Sequence, residues 1–167
     1  MRAICTTHSE TETIELAELL ARGLGVGDVI LLHGELGAGK TRFVQGLARG
    51  LGHAGARVSS PTYVLMHHYQ TEGSLTLVHI DAYRMGEDDA QTLGLDASSI
   101  ESSVVVVEWA ERMDYDWGER VVRVTLEHAS ETSRRVIADC SERCSRNVAT
   151  WMEVVARDEC DCGPSCD

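Results

Sequence analysis

Short apolar runs and amphipathic stretches alternate along the 167-residue chain. Val29-Ile30-Leu31-Leu32 and Val104-Val105-Val106-Val107 are unbroken and rich in β-branched residues, the pattern of strands buried on both faces of a sheet. Ser9 and Glu12 form a capping box, and Ile14, Leu16, Ala17, Leu19, Leu20 and Leu24 behind it predict a helix ending near Gly23 or Gly25. Between Thr41 and Leu51, the residues Phe43, Val44, Leu47, Ala48 and Leu51 fall on one helical face, with Gly52 as the stop. Tyr63 to Tyr69 alternates as a strand, Glu72-Gly73-Ser74 turns, and Leu75 to Ile80 returns, which predicts a hairpin. Gly86 to Ser102 is weakly helical, with Leu93, Leu95 and Ile100 as its apolar contacts. Val121 to Leu126 and Arg135 to Ala138 read as a closing pair of strands around a polar turn. Val148, Trp151, Met152 and Val155 have the spacing of a docked amphipathic helix.

Strands interleaved with helices predict an α/β fold with a central, mostly parallel sheet, antiparallel edge strands and flanking helices. The length suits one domain. Residues 1–139 read as this α/β domain, and 140–167 as a terminal helix followed by a cysteine-rich acidic tail.

Composition narrows the function classes. Hydrophobic content of 43% with 25% charged residues is globular, and no apolar stretch is long enough to span a bilayer. The first eight residues lack an apolar signal core, so a cytoplasmic protein is expected. A formal charge of −12 argues against direct, charge-driven binding of nucleic acid, which needs clustered Lys and Arg. If the chain acts on RNA, a partner is expected to hold the RNA. Five of the six cysteines fall after position 139, which is not the distribution of a disulfide scaffold. Cys140, Cys144, Cys160, Cys162 and Cys166 lack the spacing of common zinc modules; a reactive acidic tail is expected, with metal binding and disulfide formation as the alternatives.

Immediately after the first apolar run comes Gly34-Glu35-Leu36-Gly37-Ala38-Gly39-Lys40-Thr41, which matches the P-loop pattern G-x-x-x-x-G-K-[ST] in the strand–loop–helix context the motif requires. Its glycines let backbone N–H groups turn toward phosphate oxygens, Lys40 reaches the outer phosphates, and the Thr41 hydroxyl joins a magnesium shell. ATP and Mg2+ are the expected ligands, in a P-loop NTPase domain. Such a loop needs a carboxylate at the end of a neighbouring strand. Two are offered: Asp81 after Leu77-Val78-His79-Ile80, and Glu108 after the four valines. Thr62 lies in the proline-stiffened stretch Ser59-Ser60-Pro61-Thr62, where P-loop proteins keep a γ-phosphate-sensing segment, although the same residues also read as a plain turn. Trp109 is either a core residue or a lid on the nucleotide. His67 and His68 point to opposite faces of a strand and do not make a metal pair. Arg84 and Arg134 are candidate phosphate contacts that spacing does not separate from solvated arginines.

The P-loop, Ser60-Pro61-Thr62-Tyr63, His79-Ile80-Asp81-Ala82-Tyr83-Arg84 and Glu108-Trp109-Ala110-Glu111, in this order and at these intervals, resemble the TsaE family of bacterial P-loop ATPases over about residues 9 to 138. The resemblance implies an ATPase in the synthesis of N6-threonylcarbamoyladenosine beside the tRNA anticodon. It implies docking on a TsaD–TsaB-like complex that performs the transfer and that the ATP cycle resets, with tRNA met only through these partners. It also implies phosphate contacts from Gly37 to Thr41 and magnesium on Thr41 and Glu108. Asp81 would sit at the hydrolytic centre, orienting water or supporting the metal through water, and Thr62 on a switch-like loop. Thr13 aligns with a family threonine near the adenine. Arg42 departs from the small residue common in the family at that position, and is expected to reach a carboxylate or a partner. From the residues alone, a small-molecule kinase and a nucleotide-sensing binding module remain the alternatives.

Overall fold

In the computed structural model, the described residues are 1–53, 58–63, 65–71, 75–85, 93–94 and 96–158. They form β1 (Arg2–Thr7), α1 (Glu10–Ala21), β2 (Val29–His33), α2 (Lys40–Gly50), β3 (Met66–Gln70), β4 (Thr76–Asp81), α3 (Ala97–Glu101), β5 (Val104–Glu108), β6 (Val121–His128), β7 (Arg134–Cys140) and α4 (Arg146–Asp158). A single seven-stranded sheet runs in the order β1-β7-β6-β2-β5-β4-β3. Its four central strands β6, β2, β5 and β4 are mutually parallel. The outer strands pair antiparallel: β7 with β6, β1 with β7, and β3 with β4. The expected mixed sheet with antiparallel edges is therefore what forms.

The two valine-rich runs do occupy the sheet centre. In β5 all five residues are buried, and in β2 the first four are. Alternate side chains feed opposite layers. Ile30, Leu32, Val104, Val106 and Leu126 face Phe43, Val44 and Leu47 of α2, whereas Val29, Leu31, Val105 and Val107 face Ile100, Met113 and Trp117. Each fully buried side chain of this size is worth roughly 1.5–3 kcal/mol relative to exposure, so two filled layers fix the strand register firmly. Helices α1 and α2 pack backbone to backbone, because a Cβ at Gly46 would lie 2.2 Å from the Ile14 carbonyl oxygen.

Strand β1 has no counterpart in the sequence reading. Its inward residues are Ala3, Cys5 and Thr7, too small and too polar to register as a hydrophobic alternation, yet all three are buried: Ala3 and Cys5 in the layer with α4, and Thr7 against Thr13 of α1, while the backbone pairs with β7. α1 starts as expected: Ser9 Oγ accepts from Glu12 N at 3.1 Å, and Glu12 Oε2 accepts from His8 N at 2.7 Å. It stops at Ala21, slightly earlier than the glycines suggested. β3 begins only at Met66, because Tyr63 lies in a turn, 83% exposed, and Leu65 takes a left-handed φ of 70° while its N–H donates to Pro61 O. The hairpin register Met66↔Ile80 to Gln70↔Thr76 stands; its Glu72-Gly73-Ser74 turn lies outside the described residues. Of the weak helix expected over 86–102, Ala97–Glu101 is helical among the described residues, capped by Asp96 Oδ1 on Ser99 N at 2.7 Å; 86–92 and 95 lie outside the described residues. In α4, Val148, Trp151, Met152 and Val155 are all buried in the layer shared with α1 and β1, and the Trp151 indole donates to Leu16 O at 3.2 Å. Among the described residues, no helix is long and apolar enough to cross a membrane.

Candidate functional site

Parallel pairing places the carboxyl ends of β2, β4 and β5 along one edge of the sheet. Leu32 pairs with Glu108, and Glu108 pairs with Asp81, so the two acids stand side by side next to the exit of β2. The P-loop leaves that same edge. Gly34, Gly37 and Gly39 take φ values of 140°, 78° and 103°, which turn the chain into the first residue of α2, Lys40. The amino terminus of an eleven-residue helix, with its partial positive charge, thus opens onto the acids. From the far side, Arg134 of β7 braces the loop, donating through Nε to Ala38 O at 3.1 Å and through Nη2 to Gly37 O at 3.3 Å.

The loop, the two acids and the segment after α2 enclose a cavity of about 380 Å³. Leu36, Gly37, Gly39, Lys40, Thr41, Thr62, Asp81, Glu108 and Trp109 all line it. Glu35 contributes a carbonyl to Lys40, and Ala38 is buried behind the loop. Thr13 stands apart from this cavity: it is buried on α1 with its hydroxyl 2.8 Å from that of Thr7 and donating to Ser9 O at 3.2 Å. It lines instead a small neighbouring pocket shared with Gly37, Gly39 and Arg134.

Lys40 is the most constrained cation of the site. Its ammonium donates to Gly34 O at 2.6 Å and Glu35 O at 2.9 Å, and lies 3.5 Å from the centre of the Trp109 ring. It is only 4% exposed. Burial lowers its pKa, while the nearby Glu108, Glu111 and Asp81 charges work in the opposite direction. Trp109 is half-buried, sits at a left-handed φ of 59°, and packs against Tyr83 with ring centres 5.0 Å apart. It is at once a wall of the cavity and the lid over the lysine.

Glu108 is buried and held from two sides. Thr41 Oγ1 lies 3.0 Å from both carboxylate oxygens, and His79 Nε2 lies 2.9 Å from Oε1. Asp81 is held by three donors: the Ser60 hydroxyl and the Thr62 hydroxyl (2.6 Å) on Oδ2, and Tyr83 N on Oδ1 at 2.9 Å. The proline-containing loop therefore reaches the second acid through two hydroxyls. Thr62, chosen from sequence, and Ser60, not chosen, act on the same oxygen.

The donor set fits a polyphosphate and a hard divalent cation. Turned glycines suit the loop to presenting backbone N–H groups to phosphate, and the confined ammonium lies between the loop's own carbonyls and the Trp109 ring. The Thr41 hydroxyl and the Glu108 carboxylate, in direct hydrogen-bond contact at 3.0 Å, are oxygen ligands of the kind Mg2+ prefers. Arg42, also singled out in the sequence, lines the rim of the same cavity, where it pairs with Glu10 at 3.0 Å, while Arg84 stacks on Tyr63 at 4.4 Å. His67 donates to or accepts from Tyr69 Oη at 3.2 Å, while His68 is exposed on the other face. Cys140 is buried, and its thiol is pushed up to about 12 by burial first and by Cys144 next, which disfavours the thiolate. Cys160, Cys162 and Cys166 lie outside the described residues. His79 and Arg134 are the functional neighbours that the sequence reading did not place; the available signal was pleat alternation, since His79 lies two residues before Asp81 on the same face.

Comparison with known proteins now becomes decisive. The family model for the threonylcarbamoyl adenosine biosynthesis protein TsaE matches residues 7–137, a span that contains every residue of the cavity. The chain belongs to the TsaE family. Among relatives described as tRNA threonylcarbamoyladenosine biosynthesis protein TsaE, that of Bacillus subtilis is 38% identical over 130 residues, covering 78% of this chain and 80% of the relative. That of Streptomyces coelicolor is 44% identical over 118 residues, covering 69% and 78%. A crystal structure of Bacillus subtilis YdiB is similar with a TM-score of 0.68 and 28% identity, covering 95% of this chain and 97% of that one. This TsaE-family chain extends past the matched segment by the end of β7, α4 and the tail.

Proposed function

We propose that this TsaE-family chain binds ATP with Mg2+ in the P-loop cavity and hydrolyses it in support of threonylcarbamoyl modification of the tRNA adenosine beside the anticodon, acting on a TsaD–TsaB-like complex. The observation that carries the reading is the meeting of Thr41 and Glu108, 67 positions apart, at 3.0 Å on the floor of the glycine-turned loop. In this reading Gly37 to Thr41 hold the phosphates through main-chain N–H groups, and Glu35 and Leu36 shape the loop's outer rim. Lys40 exchanges its loop carbonyls for phosphate oxygens, and Trp109 keeps that ammonium confined. Bound Mg2+ supplies neutralisation of charge on the phosphate oxygens, with Thr41 and Glu108 as its protein ligands. Asp81, fixed by Ser60, Thr62 and Tyr83, orients water. Thr13 borders the base end of the nucleotide, in the small pocket beside Gly37 and Gly39.

The names of the relatives place them in tRNA threonylcarbamoyladenosine biosynthesis, and the TsaD–TsaB-like partner is carried from the family resemblance. The charge of −12 suits a helper whose partners grip the RNA. The test is phosphate release from ATP by the purified chain alone, with a TsaD–TsaB pair, and with candidate metabolites. Hydrolysis stimulated by the pair without a phosphorylated product supports the reading. ADP formation that depends on a metabolite would replace it with a kinase, and binding without turnover under any condition would replace it with a nucleotide sensor.

A further inference from the structure

We infer that His79 is a positioning residue for Glu108, fixing which carboxylate oxygen faces the cavity; the inference rests on the ATP–Mg2+ reading of this site. His79 lies in the middle of β4 among Leu77, Val78 and Ile80, all buried and apolar, and is itself 0% exposed. One ring nitrogen, Nδ1, is buried with no hydrogen-bond partner among the described residues. An imidazole in that setting is worse packed energetically than the apolar side chains flanking it, unless its other nitrogen performs a task. That nitrogen, Nε2, lies 2.9 Å from Glu108 Oε1. Because an ionised carboxylate oxygen only accepts, Nε2 is the nitrogen that carries the proton and donates.

Pleat and register explain the encounter. His79 pairs with Val106 and Asp81 with Glu108 on adjacent parallel strands, so His79 and Glu108 share the face that packs beneath α2. The two oxygens of Glu108 are then unequal. Oε1 has two donors, Thr41 and His79, whereas Oε2 has Thr41 alone among the described residues. When the Thr41 hydroxyl turns its lone pair to a cation, His79 still holds Oε1, and Oε2 is the oxygen left to face the cavity. A donor behind a metal-binding carboxylate is worth about 10- to 100-fold in metal affinity when removed.

The test uses the full chain and titrates Mg2+ at fixed ATP by calorimetry, with ADP affinity in chelator as the control for an intact nucleotide pocket. His79→Phe keeps bulk but has no donor; its Mg2+ midpoint is expected to rise at least about tenfold with unchanged chelator-ADP affinity. His79→Gln restores an N–H at similar reach and is expected to stay within about threefold of wild type. A His79→Phe midpoint equal to wild type, or His79→Gln as impaired as His79→Phe, overturns the proposal. Should His79→Phe fail to fold by circular dichroism, His79→Asn takes its place: one methylene shorter, it is expected to lie well above His79→Gln, and equal midpoints overturn the proposal. A wild-type chain that binds ATP with no Mg2+ dependence overturns the parent reading, a result distinct from the failure of the variants.

Discussion

Substitution of Gly34 by alanine separates steric from conformational cost at the P-loop. A Cβ built at Gly34 lies 2.4 Å from the Leu126 carbonyl oxygen and 3.2 Å from Ala38 Cβ, and the residue sits at φ 140°. The backbone conformation alone costs an L residue about 1–3 kcal/mol. The clash is with main chain in β6, which cannot rotate away, and shifting it costs about another 1–3 kcal/mol. At roughly 2–4 °C per kcal/mol for a chain of this size, Gly34→Ala is expected to melt roughly 5–20 °C below wild type. Gly39 provides the internal control. Its φ of 103° is equally unsuited to alanine, but nothing lies within 4 Å of its Cβ position, so Gly39→Ala carries the conformational term only. Nucleotide-free thermal unfolding followed by circular dichroism measures both. Gly34→Ala melting with wild type, or no lower than Gly39→Ala, would refute the close approach of the P-loop to β6.

Two further outcomes concern ionisation. Burial lowers the pKa of Lys40 from 10.5, so the folded chain sheds this proton more readily than the unfolded chain. The penalty for the buried ammonium is present at neutral pH and is relieved as pH rises through the lowered value toward 10.5. Relative to Lys40→Met, nucleotide-free wild type should therefore gain stability between pH 7 and about 10, read from urea unfolding; a constant difference would contradict the burial. Cys140, with its thiol pushed up to about 12, should alkylate at pH 8 at least about a hundredfold more slowly in the native chain than in the unfolded one, measured by mass spectrometry of its peptide. Equal rates would contradict its enclosure.

What could be read in the sequence was what lies in consecutive residues or at the ends of apolar runs. The P-loop is contiguous, and Asp81 and Glu108 each terminate a strand, so their common edge followed from parallel pairing. Arg134 was visible only as an arginine: its hold on Gly37 O and Ala38 O depends on β7 closing next to a loop about a hundred residues earlier. His79 was hidden for a related reason. Within β4 it looks like one polar interruption of an apolar run, and its contact with Glu108 exists only through the cross-strand register. β1 escaped because Ala3, Cys5 and Thr7 carry little hydrophobic contrast, although all three are buried. Local helix signals held where a side-chain cap was present, as at Ser9 and, within the described part of 86–102, at Asp96.

The central claim is that the glycine-turned loop and Lys40 grip a nucleotide polyphosphate. Calorimetric titration of ATP with Mg2+ into the folded wild-type chain and into Lys40→Met tests it most directly. Saturable binding by wild type that is lost in Lys40→Met is the expected result. A well-folded wild type that takes up no nucleotide, or a variant that binds as well as wild type, would contradict it.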